Sequence, residues 1–178
     1  TRIQATDRLR ELFLDSVRLH LRSDVPIGSA LSGGIDSSSI VMAMRRLDPS
    51  ADLHAFCYRA GKEGLDEGPF MALVGQEAEA TLHETWATGE DLLDDLKGLM
   101  RAQDDPFGST SIFVQYRVFR LAREAGIKVM LDGQGADEML GGYLSYTGIR
   151  VASLMRQWHV IQAMKLLRTA NRLPGRGG

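Results

Sequence analysis

The sequence predicts an α/β protein in which a mainly parallel β-sheet is covered by helices on both faces. Short apolar runs alternate with longer segments whose apolar residues recur at helical spacing, as in a chain that passes repeatedly between strand and helix. Two glycine-rich segments, 32–34 and 132–142, come directly after predicted strands. The composition, with 44% apolar and 25% charged residues among 178, is typical of a globular domain with one core.

The first predicted helix spans residues 6–21, because apolar residues recur on one of its faces and charged residues fill the other. The apolar positions are Leu9, Leu12, Phe13, Val17 and Leu21. Pro26 cannot continue this helix, and the apolar run 27–31 that follows it predicts a buried strand. That strand leads directly into the first glycine-rich segment.

The rest of the chain continues the alternation. The pattern predicts a helix at 37–47, a strand at 53–58, a helix at 67–80, a strand at 82–86, helices at 90–101 and 112–125, a strand at 129–131, and a glycine-rich turn at 132–142 that leads to a C-terminal helix. In an open parallel sheet, ligands bind beyond the carboxyl ends of the strands, near the point where strand order reverses. We therefore expect both glycine-rich segments at that edge of the sheet.

Cysteine usage and hydropathy exclude several classes of protein. The single cysteine, Cys57, cannot form an intramolecular disulfide, and no Cys/His cluster has the spacing of a zinc site. No apolar run approaches the roughly 20 residues needed to span a bilayer. We therefore expect a cytoplasmic protein in a reducing setting, with no membrane contact. Cys57, Trp86 and Trp158 occupy apolar positions and are expected in the core.

Charge is unevenly distributed along the chain. The net charge is −2, but residues 148–178 contain six basic residues and no acidic ones, which leaves 15 basic and 23 acidic residues in 1–147. We predict a core domain at 1–147 and a basic, truncated helical segment at 148–178. A basic helix binds nucleic acid or docks on an acidic protein surface, and the absence of an aromatic or glycine-rich nucleic-acid signature favours docking. No nucleic-acid partner is expected.

The two ends of the chain suggest a piece of a larger protein. The first residue is Thr1, and the last residues are rich in glycine and arginine, which is typical of a linker. We expect a partial domain. Within it, Arg117 and Arg120 could reach a substrate carboxylate, but a solvated helix face is favoured for both.

The segment 32–38, Ser-Gly-Gly-Ile-Asp-Ser-Ser, has the composition of a phosphate-binding loop between a strand and a helix. Gly33 and Gly34 allow a sharp turn in which several N–H groups point at one anion, and Ser32, Ser37 and Ser38 add hydroxyl donors. A plain turn with serine caps uses the same residue types, but the full pattern favours an anion site. No Walker sequence is present, so cleavage between the α- and β-phosphates of ATP is favoured over γ-phosphoryl transfer.

Asp36 lies inside this loop, where it would repel phosphates unless a divalent cation lay between them. We interpret it as a Mg²⁺ ligand. The second glycine-rich segment offers Asp137 and Glu138, which would come near Asp36 if both loops follow adjacent strands. The alternative explanation for Asp137 and Glu138 is a helix N-terminus, which favours negative charge. ATP and Mg²⁺ are the predicted cofactors.

The two loops together resemble those of the asparagine synthetase family. The segment 32–38 resembles the pyrophosphate loop of the N-type ATP pyrophosphatases, and 131–143 resembles the family signature Leu-Ser-Gly-Glu-Gly-Ala-Asp-Glu-x-x-Gly-Gly-Tyr. Further features that agree are Asp-Val-Pro-Ile-Gly at 24–28, Asp-Glu at 66–67 and Asp-Pro-Phe at 105–107. The resemblance extends to about residue 146 and implies an adenine nucleotide α-hydrolase-like fold.

The resemblance also implies roles for individual residues. Asp36 and Asp137 would bind Mg²⁺, and Gly133 would meet the nucleotide through its backbone. Leu31 and Tyr58 would lie near the adenine and the ribose.

Two residues depart from the family signature. Asp132 replaces its serine, and Gln134 replaces its glutamate, which is associated with acyl transfer. Glutamine cannot act as a general base at neutral pH, and we hypothesise that Asp132 restores the carboxylate. Asp132 and Gln134 are therefore the candidate catalytic residues.

The function implied by the resemblance is that of an ATP-dependent ligase. Such an enzyme adenylates a carboxylate, aspartate in the family, and transfers ammonia to it to form an amide such as asparagine. The family obtains the ammonia from glutamine in an upstream glutaminase domain, which would be a partner of this chain, and a homodimer is left open. Two alternatives fit Gln134: a related ligase for another carboxylate, and a nucleotide-binding module that has lost its chemistry. The fragment alone is expected to bind ATP without completing the reaction.

Overall fold

The computed structural model describes residues 1–61 and 66–171, with only the backbone of Leu144. The chain divides into two compact units, Thr1–Gly133 and Gln134–Gly178. The division precedes the predicted domain boundary at residue 147, which falls inside a helix of the second unit. Residues 172–178 of the predicted basic segment lie outside the described residues. Within the described ranges, no helix is long and apolar enough to cross a bilayer.

The first unit contains the sheet. Its elements are α1 (Arg2–His20), β1 (Ile27–Ala30), α2 (Ile35–Leu47), β2 (His54–Tyr58), α3 (Gly68–Glu77), β3 (Thr81–Thr85), α4 (Gly89–Gln103), α5 (Ser111–Glu124) and β4 (Val129–Leu131). Every helix and strand predicted for this part of the chain is confirmed, with small shifts at most ends. The largest shift is at α1, which begins earlier because Thr1 and Gln4 form a capping box that satisfies its first N–H groups.

The four strands form one parallel sheet in the order β3-β2-β1-β4. From β1 the chain adds β2 and β3 on one side, and it then returns to the other side of β1 to add β4. Strand order therefore reverses between β1 and β4. The sheet and its crossover helices confirm the predicted fold class.

Each face of the sheet carries its own hydrophobic core. The first core consists of Val17, Leu31, Ile40, Val41, Ala43, Met44, Leu53, Ala55, Cys57, Met71 and Ala78. The second core consists of Phe56, Val118, Ala122 and Ile127. Successive residues of β2 thus point to opposite faces, and helices cover both. Cys57 is fully buried, as predicted.

The second unit consists of helices in its described part: α6 (Ala136–Leu140), α7 (Leu144–Arg156) and α8 (Val160–Ala170). The predicted glycine-rich turn at 132–142 is wrong in part, because Gly135 (φ 90°) and Gly141 (φ 72°) delimit a short helix. The predicted single C-terminal helix is also wrong. A left-handed residue, Trp158 (φ 60°), separates α7 from α8.

The expected burial of two tryptophans is wrong. Trp86 is 54% exposed and Trp158 is 88% exposed. Trp86 follows the last residue of β3 and so lies beyond the sheet, and Trp158 occupies the break between two helices. Their apolar sequence surroundings could not show either of these positions.

Candidate functional site

The reversal of strand order brings two loops to one edge of the sheet. β1 and β4 are parallel neighbours that pair Ile27 with Val129 and Ser29 with Leu131. The 32–38 loop follows β1, and Asp132 and Gly133 follow β4, so both leave the sheet at its carboxyl edge. In open parallel sheets this is where ligands bind.

The turn of the 32–38 loop requires glycine. Gly33 has φ +86°, and a Cβ at this position would lie 3.1 Å from both Cβ and the backbone oxygen of Glu67. A side chain at Gly33 would therefore be strained by its backbone and crowded by its neighbour. Gly34 caps α2 without a side-chain hydrogen bond, so the N–H groups of the first turn remain available to an anion.

Serine hydroxyls hold this turn in shape. The Ser32 N–H donates to Ser37 Oγ at 3.1 Å, and Ser37 Oγ donates to the Gly34 carbonyl at 3.3 Å. The Gly34 N–H donates to Ser32 Oγ at 3.2 Å, and the hydroxyls of Ser32 and Ser37 are 3.0 Å apart. The loop is therefore organised by its own hydrogen bonds before any ligand binds.

The Ser38 hydroxyl is different. Its Oγ is buried and has no hydrogen-bond partner among the residues that the structure describes. A buried hydroxyl normally has a partner. A phosphate oxygen would supply one, so the loop fits the phosphate groups of a nucleotide.

Gly133 passes close to the start of α2. A Cβ on Gly133 would lie 3.1 Å from Asp36 Cβ and 3.2 Å from the Ser37 backbone nitrogen. The absence of a side chain lets the backbone after β4 approach the 32–38 loop. The structure thus brings Gly133 and Asp36 together.

The two candidate catalytic residues lie on either side of the division between the units. Asp132 is half-buried in the first unit, where Gln115 Nε2 donates to its Oδ2 at 3.4 Å. Gln134 is the first residue of the second unit and is exposed. Their assignment as catalytic residues stays a prediction.

Leu31 and Tyr58 differ in what they can offer a nucleotide. Leu31 is only 1% exposed, belongs to the first core, and donates its N–H to the Phe56 carbonyl at 2.9 Å. Its side chain thus packs in the core, and its place near the adenine stays a prediction. Tyr58 is the last residue of β2 and is half-buried, so it lies at the same carboxyl edge as the 32–38 loop.

The acidic residues of the second unit lie on α6. Asp137 and Glu138 occupy its first turn, as the explanation by a helix N-terminus also requires. The Tyr143 hydroxyl donates to Glu138 Oε1 at 2.8 Å, and this hydrogen bond raises the pKa of Tyr143. A Cβ on Gly142 would overlap the Asp137 carboxylate, so a side chain there would require this carboxylate to move.

The donor set for a metal ion is small. Among the described residues, no group of three or more His, Cys, Asp or Glu side chains is close enough to hold one. Mg²⁺ commonly binds through one or two carboxylates together with water and substrate phosphates, which Asp36 at the start of α2 could satisfy. The joint use of Asp36 and Asp137 stays a prediction.

A polar cluster that the sequence analysis missed lies at the same edge. Arg59 follows β2 and forms ion pairs with Asp66 and with Glu84 of β3. The hydrogen bonds from Arg59 lower the pKa of Asp66, and those to the two carboxylates raise the pKa of Arg59. The sequence offered two signals for this cluster. Arg59 comes directly after a predicted strand, and an Asp-Glu pair precedes a predicted helix.

The sequence comparisons agree on one family. The sequence model of the asparagine synthase family matches residues 8–176. Asparagine synthetase [glutamine-hydrolyzing] 1 of Bacillus subtilis is 36% identical over 142 residues, which cover 78% of this chain and 21% of that protein. Asparagine synthetase B of Escherichia coli is 32% identical over 155 residues, covering 79% and 27%. This chain therefore spans about a quarter of the length of these relatives.

A solved structure supports the fold. The NH3-dependent NAD synthetase from Campylobacter jejuni superposes with a TM-score of 0.50 and 17% identity over 77% of this chain and 60% of that one. At this identity the likeness concerns the fold alone. The family match and the identities to the curated relatives together show that this chain belongs to the asparagine synthase family.

Proposed function

We propose that this chain forms the nucleotide-binding part of a synthetase that uses ATP to convert a carboxylate into an amide. In the first step, a carboxylate oxygen attacks the α-phosphorus of ATP, the bond from this phosphorus to the bridging oxygen breaks, and pyrophosphate leaves. In the second step, ammonia attacks the carbonyl carbon, the bond to AMP breaks, and a proton is released. The names of the relatives support this substrate class, and aspartate is the first acid to test.

The observation that carries this proposal is the shape of the 32–38 loop, which lies where strand order reverses. The 32–38 loop combines a glycine turn with N–H groups at the start of α2 and a buried Ser38 hydroxyl, which have no partner among the described residues. The loop would hold the pyrophosphate portion of ATP through these donors. Gly133 would approach the nucleotide through its backbone, because no side chain blocks it.

A bound Mg²⁺ would allow the negatively charged Asp36 to lie near the phosphates. Asp36 lies in the first turn of α2, where its negative charge would oppose the binding of pyrophosphate. A bound Mg²⁺ would neutralise phosphate charge and stabilise the departing pyrophosphate. We propose Asp36 and Asp137 as its protein ligands.

Asp132 is proposed to provide the carboxylate that Gln134 cannot. Its side chain accepts a hydrogen bond from Gln115, which holds the carboxylate at the edge of the sheet. An anionic Asp132 could accept a proton from the attacking ammonia, whereas an amide could not.

The proposal is tested by pyrophosphate release from the full-length protein with ATP, Mg²⁺ and a panel of carboxylic acids, with glutamine or ammonium as the nitrogen source. Aspartate-dependent release together with formation of asparagine is expected. Asp36→Asn should abolish release, and Asp48→Asn, at the other end of α2, should not. ATP binding without release for any acid would contradict the proposal.

Gln134 favours a second candidate within the same chemistry. It replaces the glutamate of the family signature, so the acceptor pocket need not match that of aspartate. A ligase for a different carboxylate would release pyrophosphate with that acid and not with aspartate. A nucleotide-binding module would release none.

A further inference from the structure

Arg59 holds two carboxylates at the carboxyl edge of the sheet. Its backbone N–H donates to the Thr85 carbonyl of β3 at 2.9 Å, so the sheet itself fixes its position. Nε donates to Asp66 Oδ1 at 2.9 Å, and Nη1 donates to Glu84 Oε1 at 2.8 Å. Nη2 donates to Asp66 Oδ2. Each guanidinium nitrogen is thus engaged by a carboxylate.

This cluster is partly shielded from solvent. The exposed fractions of the side chains are 28% for Arg59, 22% for Asp66 and 31% for Glu84. One guanidinium between two carboxylates leaves a local charge of −1. Loss of the guanidinium would leave two neighbouring carboxylates unbalanced, and their repulsion would push Asp66 away from β3.

Asp66 connects the cluster to the start of α3. Its Oδ1 accepts a hydrogen bond from the backbone N–H of Gly68, the first residue of α3, at 3.3 Å. The guanidinium lies so close to Gly68 that a Cβ there would overlap its atoms. Arg59 therefore holds Asp66, which precedes Glu67, and through Asp66 it holds Gly68, which follows Glu67.

Glu67 in turn supports the 32–38 loop. A Cβ on Gly33 would lie 3.1 Å from Glu67 Cβ and 3.2 Å from Phe70 Cβ. The first turn of α3 is thus the surface against which the left-handed turn at Gly33 rests. A shift of this surface would allow the loop to leave its anion-binding shape.

We propose that Arg59 is a positioning residue of the nucleotide site, which acts by holding Asp66 and the start of α3 against the turn at Gly33. The inference rests on the proposed binding of ATP by the 32–38 loop. Direct contact between Arg59 and a phosphate is disfavoured, because each nitrogen of the guanidinium already donates to a carboxylate.

The test uses the full-length protein with Arg59→Met, Asp66→Asn and the double variant. Arg59→Met is expected to raise KM for ATP about tenfold and to leave kcat within about twofold, since ATP binding and not the chemical step depends on the loop shape. Asp66→Asn should raise KM to a similar extent, and the double variant should add little. Arg59→Lys keeps the positive charge but loses the planar guanidinium that binds both carboxylates. Its KM for ATP should therefore lie between those of the wild type and Arg59→Met.

Arg45→Met is the matched control. Arg45 holds the other end of α3 through hydrogen bonds to the carbonyls of Ala78 and Glu79, so its loss should lower Tm without raising KM for ATP. An unchanged KM in Arg59→Met would overturn the inference. An equal rise in KM for ATP in Arg45→Met would also overturn it. So would a double variant of Arg59 and Asp66 in which the two increases in KM multiply.

A second measurement separates this inference from the proposed function. Backbone amide exchange at residues 33–37, measured without nucleotide, should be faster in Arg59→Met than in Arg45→Met. If the wild-type protein neither binds ATP nor releases pyrophosphate, the proposed function fails, and faster exchange still supports the positioning role. Equal exchange in both variants would overturn that role.

Discussion

A buried hydroxyl that lacks a partner costs about 1–3 kcal/mol, and the Ser38 Oγ is such a group among the described residues. Replacing it by hydrogen would remove this cost from the ligand-free protein. We therefore propose that the hydroxyl is paired when a ligand is bound. At the start of α2, the chemically suitable partner is an anion.

Ser38→Ala is accordingly expected to leave Tm unchanged or slightly higher and to weaken ATP binding at least about tenfold, since one hydrogen bond to a charged group contributes about 1.5–3 kcal/mol. Isothermal titration calorimetry and thermal unfolding measure the two quantities. Ser39→Ala, an exposed neighbour on the same helix, is the control and should change neither. A loss of Tm without a loss of affinity would show that Ser38 is structural.

Asp132→Asn tests the hypothesis that a carboxylate has moved within the second loop. In the full-length enzyme, this variant should lose synthetase activity far more than Gln134→Ala, because Asn keeps the hydrogen bond from Gln115 but cannot accept a proton. Steady-state formation of amide and pyrophosphate measures the effect. Equal, mild losses in both variants would contradict the hypothesis.

At the level of elements, ion pairs join α4 to α5, and they involve two arginine side chains that were expected to face solvent. Arg117 was expected on a solvated face, but its side chain is only 15% exposed and its Nη1 lies 3.0 Å from Asp95 Oδ2. Arg120 also pairs with Asp95. Burial alone would raise the pKa of Asp95, but hydrogen bonds from the two arginines outweigh it, and the pKa is lowered.

These ion pairs predict a pH dependence. Because the folded pKa of Asp95 lies below the unfolded value of about 3.9, its contribution to stability is complete above that pH and is lost as the pH falls through the folded pKa. Asp95→Asn should lower the free energy of unfolding by about 1–3 kcal/mol at pH 7.

Urea unfolding between pH 7 and pH 3 checks this expectation. The difference between wild type and Asp95→Asn should shrink below about pH 3.9, where the carboxyl of the unfolded chain takes up a proton before that of the folded protein. Asp94→Asn, an exposed neighbour, should match the wild type throughout. A difference that stays constant with pH would contradict the assignment.

The elements of the first unit could be predicted because their signals are local. The strands β2 and β4 are short apolar runs and the helices carry apolar faces, so periodicity located them, whereas β3 (Thr-Leu-His-Glu-Thr) is mostly polar. The break at Trp158 has no local signal, since neither glycine nor proline marks it. The ion pairs of Arg59 and Arg117 depend on which elements are neighbours, which periodicity does not report.

At the scale of the molecule, the candidate site could be anticipated in part. Both glycine-rich segments were recognised, and strand order brings the residues after β1 and β4 to one edge. The close approach of Gly133 to Asp36 is a long-range contact, which only the parallel pairing of β1 and β4 explains.

Residues 1–133 are expected to fold without the second unit, because they contain every strand and both hydrophobic core clusters of the part of the chain that the structure describes. A protein that ends at Gly133 should therefore unfold in one cooperative transition in urea. Absence of a cooperative transition, when residues 1–178 show one, would contradict this expectation.

The buried strand β2 gives the protein an internal chemical reporter. Cys57 is fully buried, and burial, together with the negative charge of Glu84, raises the pKa of its thiol to about 12. Only the thiolate reacts readily with alkylating reagents, so iodoacetamide should not label the native protein at neutral pH. Because the chain has one cysteine, the labelling rate measures how often the centre of the sheet opens, without any introduced probe.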